Sequence, residues 1–184
     1  MKKHLLMTAL ILISAGAWAQ ENMLTLSYGY AFANPEGSDK SADGFRINAL
    51  FENNPNEGKI AHGINIGYVL TKYNEESTVG LNEFSIRSWP IYYAPKLILG
   101  NSDKFKFFLK GALGLHFSKY TATTNALSVD TQDTGFYGGA GLGGMLFLKE
   151  NIFLNLEYEW AYLSNSFYDN GFLNTAQLGI GFKF

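Results

Sequence analysis

Apolar and polar residues alternate with period two along most of the chain, and the alternation is cleanest at its end. Ala176, Leu178, Ile180, Phe182 and Phe184 share one face, while Thr175, Gln177, Gly179, Gly181 and Lys183 share the other. Successive side chains of a strand point to opposite faces, so this spacing predicts a strand with two chemically different sides. The same pattern marks eight segments: 23–32, 44–52, 60–71, 82–94, 105–120, 135–148, 152–163 and 175–184. Helical spacing is confined to the first twenty residues, so the fold class is all-β. The fourth segment is the least regular. Phe84 and Ile86 are assigned outward and Glu83, Ser85 and Arg87 inward, and the pattern blurs at Ser88-Trp89-Pro90. A bulge is expected there, because proline cannot donate to a ladder.

The connections alternate as well. Residues 53–59, 95–104 and 149–151 form one set, and residues 33–43, 72–81 and 121–134 form a second that is generally longer and more polar, joined by the short but polar 164–171. Short turns at one end and long loops at the other match a barrel that crosses an outer membrane. Aromatics are also sorted by height. Phe45 and Phe51 bracket Ile47 and Ala49, while Phe105, Phe107 and Phe117 bracket Leu109 to Leu115. Tyr158, Trp160 and Tyr162 gather at one end of the seventh segment. Two aromatic girdles around an aliphatic band are expected of strands facing lipid. The prediction is an eight-stranded antiparallel up-and-down transmembrane β-barrel.

The front end fits export. Lys2 and Lys3 precede an apolar core from Leu5 to Ile13, and Ala17-Trp18-Ala19 supplies a cleavage site. Residues 1–19 are therefore expected to be a cleaved signal peptide and residues 20–184 the barrel domain, located in the cell outer membrane. Removing that segment leaves 12 basic and 16 acidic side chains, a formal charge of −4. No basic patch points to nucleic acid. The chain has no cysteine, which excludes disulfides and thiolate metal sites. Hydrophobic content of 47% and mean hydropathy of −0.04 do not argue against a barrel, which is apolar only at every second position.

With its alternating strands, girdles and aromatic last residue, the sequence resembles the small eight-stranded outer-membrane barrels of the OmpA- and OmpX-like kind over essentially the whole mature chain. The resemblance extends to their C-terminal assembly signal, matched here by Gln177, Gly179, Phe182 and Phe184. It implies the barrel-assembly machinery as a transient partner during insertion, outer-membrane lipid as the permanent one, and a monomer.

Eight strands leave an interior just wide enough for side chains to fill. The register sends Arg46, Glu52, Glu83, Arg87, Lys106, Lys110, His116, Glu157, Glu159 and Lys183 into it. An unpaired charge there costs several kcal/mol, so these groups are expected to pair into a polar plug, with Arg46 and Arg87 facing Glu157 and Glu159.

Two motifs resemble chemistry. Gly139, Gly141 and Gly144 fit G-x-G-x-x-G, but a period-two run follows where a nucleotide site needs a helix. His116 and Ser118 share a face and faintly resemble part of the His-x-Ser-Asn element of lipid A deacylases. Lys119 stands where asparagine is required, and no glutamate follows before Glu150. With His4 and His62 isolated, no metal-ligand cluster is expected. The reading is non-enzymatic and without cofactor: a structural or adhesion-like surface scaffold whose loops meet an extracellular ligand, with Phe167 and Tyr168 displayed at a loop tip. The alternatives are a narrow pore for small solutes and a lipid A-modifying enzyme using His116 and Ser118.

Overall fold

The computed structural model describes residues 20–184 apart from 56, 57, 78, 79, 101, 125 and 126; the expected signal peptide lies outside the described residues. Eight strands follow in chain order: β1 (Gln20–Ala33), β2 (Ala42–Pro55), β3 (Ile60–Ser77), β4 (Gly80–Leu99), β5 (Phe105–Thr124), β6 (Leu127–Lys149), β7 (Ile152–Leu163) and β8 (Phe172–Lys183). Each pairs antiparallel with its neighbours, and β8 closes on β1 in one barrel. Closure completes at the termini, where Asn22 and Phe184 exchange two backbone hydrogen bonds of 2.9 and 3.0 Å. Sealing the ring satisfies the ladder donors and acceptors that hydrocarbon would leave unpaired.

Through the middle of the barrel, the two faces differ as the alternation predicts. Leu26, Ile47, Ile66, Leu113, Leu142, Leu156 and Leu178 are each about half exposed on the outside, although all are aliphatic. Phe107, Phe182 and Phe184 mark one rim of this band. Tyr30, Phe45, Tyr68, Trp89, Phe117, Trp160 and Phe172 mark the other, several of them in contact across strands. The termini and short turns share the first rim, the arrangement of a periplasmic end.

Three expectations need correction. The segments at 72–81 and 121–134 are not loops: β3 and β4 continue to Ser77 and Gly80, and β5 and β6 continue to Thr124 and Leu127. Their polar residues alternate because the hairpins rise into water as a sheet. No bulge occurs at Pro90, since β4 keeps one register against both neighbours from Asn82 to Leu97. Pro90 is accommodated by omitting its pairing with Gly67, and the register shift falls instead between Phe147 and Lys149. The third correction follows from the first two. In β4 the even-numbered residues face inward, so Ile86 is fully buried while Glu83 is exposed and Arg87 only half-buried on the outside.

Candidate functional site in the barrel lumen

Inward positions of five strands converge on Glu159. The Arg46 guanidinium of β2 lies 2.6 Å from Glu159 Oε1, and the Lys110 ammonium of β5 lies 2.6 Å from Oε2. Tyr137 of β6 donates to Oε1, and Tyr92 of β4 donates to Oε2 at 2.9 Å. Arg46 also donates to the Tyr137 hydroxyl at 2.9 Å, to Tyr92 at 2.8 Å and to Asn48 Oδ1 at 2.9 Å. Lys110 reaches Glu157 as well. Two cations and two carboxylates therefore balance, and both Glu159 oxygens are doubly satisfied. Stacked Tyr92 and Tyr137 rings, 4.8 Å apart, fix the hydroxyls. Such completeness is what lets buried charges persist, because an unpaired one would carry the full desolvation penalty.

A second buried pair joins Lys96 to Glu52 at 2.7 Å, with the ammonium 4.5 Å above the Phe108 ring. Between these groups Asn48 donates to Gln177, which in turn donates to Thr175 at 3.1 Å. Glycines on β6 make the room. A Cβ at Gly143 would sit 2.4 Å from Phe108, and one at Gly139 would lie 2.7 Å from the Trp160 carbonyl, whereas one at Gly141 would meet Glu157 and Lys110 in ordinary contact at 3.5 Å. The G-x-G-x-x-G stretch thus serves packing. Gly144, its third glycine, lies under the outward Phe105 ring.

Apolar residues close the charged layer at both ends. Toward the termini lie Met23, Ala61, Ile98, Phe108, Met145 and Phe153. Toward the long hairpins lie Val69, Ile86, Leu163, Leu173, Phe167 and Tyr168. The last two correct an expectation, since they are 7% and 1% exposed rather than displayed. The segment that carries them folds back into the mouth. Phe167 stacks on Tyr120 at 5.5 Å, and Tyr168 bonds Thr71 at 3.0 Å. Backbone bonds from Glu36 to Phe167 and from Asp169 to Asn34 hold the lid. Gly171 permits the return: its φ of +72° is left-handed, and a Cβ would lie 2.4 Å from the Leu163 carbonyl.

Beneath this lid His116 Nδ1 lies 2.9 Å from Ser118 Oγ, which lies 2.7 Å from Ser88 Oγ. His116 is fully buried and Ser118 is 4% exposed. A base and a hydroxyl in contact are the minimum for nucleophilic chemistry, yet here they are sealed from the lipid outside.

The structure thus places Arg46, Glu52, Lys110, His116, Glu157 and Glu159 together in the interior. Lys106 and Lys183 sit half-buried at the terminal mouth, where Lys106 lies over Phe147 and Lys183 pairs with Glu21. Glu83 and Arg87 do not join the network; they stand outside the barrel. Lys96, Tyr92 and Tyr137 are the interior members that the alternation missed. Of the C-terminal positions, Gln177 and Gly179 face inward, whereas Phe182 and Phe184 lie on the outer rim.

A closed eight-stranded sheet with an aliphatic exterior, two aromatic rims and an internally neutralised lumen is a small outer-membrane β-barrel. The family described as the outer membrane protein beta-barrel domain matches residues 5–184, and the chain belongs to it. Among solved structures it is similar to Neisserial surface protein A, with 16% identity, a TM-score of 0.65 and coverage of 89% of this chain and 97% of that one. It is also similar to Ail, the attachment invasion locus protein of Yersinia pestis, with 19% identity, a TM-score of 0.56 and coverage of 91% and 100%. A major outer membrane protein from Thermus thermophilus shares 7% identity, with a TM-score of 0.56 and coverage of 89% and 99%. At these identities the likeness is one of fold. No curated protein sequence matches.

Proposed function

We propose that the protein is a plugged outer-membrane scaffold that presents the free edge of an extracellular sheet to an extended polypeptide. The observation that carries this reading is the unequal length of β6 and β7. Their pairing begins at Tyr137 and Leu163, so residues 127–135 of β6 pair with β5 alone. Phe136 turns its amide and carbonyl toward Ser164, on the β7 side. By the same parity Ser128, Asp130, Gln132 and Thr134 turn their backbone groups toward the open edge, where no strand among the described residues pairs with them. Leu127 and Val129, 77% and 65% exposed, supply apolar contact beside it. An exposed edge strand is a template for strand addition. The opposite edge of the sheet is partly covered, because Ser38 bonds Glu75.

One structural relative supports surface recognition in general terms: Ail was solved in complex with the heparin analogue sucrose octasulfate. The plug supports a scaffold over a pore, since paired charges lie between two apolar clusters. The sealed positions of His116 and Ser118 speak against lipid A modification. Export through residues 1–19 and assembly through Gln177, Gly179, Phe182 and Phe184 belong to the same proposal.

Gln132→Pro tests the edge directly. It removes one donor on the open side while leaving the β5 ladder intact. Phage-displayed random peptides selected on the barrel in lipid nanodiscs are expected to lose binding to this variant. Peptides that bind the variant and the wild type equally would contradict the proposal. In planar bilayers the wild type is expected to give no discrete conductance, and steady channel openings would restore the pore.

A further inference from the structure

The outer face of β3, β4 and β5 changes character within two rows above its aromatic rim. Trp89 and Phe117 stand side by side across β4 and β5, with Tyr68 5.4 Å from Trp89. The next row away from the membrane holds Leu70, Arg87 and Lys119. The row after that holds Lys72, Ser85 and Thr121, and Glu83 comes only in the third. Three cations therefore occupy the level where headgroups begin, with Asp130 and Asp43 flanking the second row and Glu83 in the third. An open groove of about 450 Å³ crosses these rows, lined by Lys72, Ser85, Arg87 and Thr121 and, at its far end, by Glu83 and Thr123.

Like charges directly opposite across a ladder are destabilising, yet Arg87 and Lys119 are such a pair. Lys119 is relieved by Asp130 at 2.8 Å. Hydrogen bonds from Lys119 and Thr121, with the nearby field of Arg87, hold the exposed Asp130 carboxyl below its usual range. Asp43 stands opposite Lys72 in the register with β2. Among the described residues, however, neither Arg87 nor Lys72 has an ion pair within 4.0 Å. Two cations thus remain available at the membrane edge of a groove, next to an apolar surface that continues into the bilayer.

We infer that Lys72 and Arg87, which line the groove, bind the phosphate of an outer-leaflet lipid headgroup whose acyl chains lie against Tyr68, Trp89 and Phe117. Phosphate suits the site because it accepts bidentate bonds from a guanidinium and a further bond from the Lys72 ammonium. The aromatic surface directly below favours a lipid over free phosphate, since it would hold the chains of the same molecule. The inference stands apart from the β6 edge, which lies on another strand and faces water.

Native mass spectrometry of the barrel in neutral detergent tests it, with lipid A and chemically dephosphorylated lipid A as probes. The wild type is expected to retain lipid A and to bind the dephosphorylated form at least about tenfold more weakly, the worth of one charge-assisted bond. Lys72→Ala combined with Arg87→Ala should bring lipid A down to that weaker level. Arg87→Gln, which keeps a polar side chain but removes the charge, should lose most of the same affinity, and Lys149→Ala at the opposite end should change nothing. Heat-modifiable migration establishes that each variant is folded. Equal retention of both lipids, or full retention by the folded double variant, overturns the proposal. Competition by inorganic phosphate as effective as lipid A itself would also overturn it, by showing that the lipid portion adds nothing.

Discussion

Strand β4 passes through two environments, and its halves obey opposite rules. From Trp89 to Leu99 the outward residues are aromatic or aliphatic, while Tyr92 and Lys96 point inward and are buried. From Glu83 to Arg87 the polar residues point outward, and Phe84 and Ile86 point inward. Register and parity do not change between the halves. What changes is the solvent outside. In hydrocarbon the exterior must be apolar and the charges retreat to the lumen. Once the strand rises into water, the exterior becomes polar and the apolar side turns inward, as in a soluble sheet. Tyr73, Phe84, Tyr120 and Phe167 then stack successively at 4.7, 5.9 and 5.5 Å to close the mouth.

The contrast is sharpest in the variants that probe each side. Glu159→Ala should be the most damaging, because it takes away the carboxylate that pairs with Arg46 and leaves Lys110 with Glu157. A loss of about 3–5 kcal/mol is expected on breaking such a buried network. Urea unfolding in detergent micelles, followed by tryptophan fluorescence, measures it. Replacing Arg46 as well should return part of that loss; a strictly additive double variant would show that the pair is not coupled.

A charge placed on the outer surface separates the regions directly. Leu142→Arg lies in the aliphatic band and should cost about 2–4 kcal/mol near the midplane. Thr121→Arg has the same outward orientation above the rim and should stay within about 0.5 kcal/mol. Equal costs, read from the same urea titrations in lipid vesicles, would remove the boundary drawn between them. Tyr168→Phe falls between these values. Losing its hydroxyl bond to Thr71 should cost about 1 kcal/mol and speed amide exchange at Phe167 and Asp169, which hydrogen exchange resolves.

Legibility followed the same boundary. Strand β7 was readable to the residue because it spans only the membrane, so one solvent governs its whole alternation. The pairing of Arg46 with Glu159 was likewise readable, since both occupy strands of regular pattern. Arg87 and Glu83 were misplaced because Phe84 and Ile86 look like lipid-facing residues when the membrane edge is unknown. Trp89, Ile91 and Tyr93 carried the correct parity, and extending it would have placed Tyr92 and Lys96 in the lumen. Pro90 and Pro95 obscured that signal by suggesting a bulge and a turn. Phe167 and Tyr168 were hidden by their polar neighbours. Only the inward aromatics of β3, β4 and β5 reveal a mouth that needs covering.

The central claim is that the exterior of the middle band is solvated by hydrocarbon. The absence of cysteine allows single nitroxide labels to be placed without background. Labels at Ile47, Leu113, Leu142 and Leu178 in lipid vesicles should collide more with dissolved oxygen than with a water-soluble nickel chelate, and labels at Thr121 and Gln132 should show the reverse. Chelate-dominated relaxation at every one of these positions would mean that water surrounds the barrel throughout, and the claim would fail.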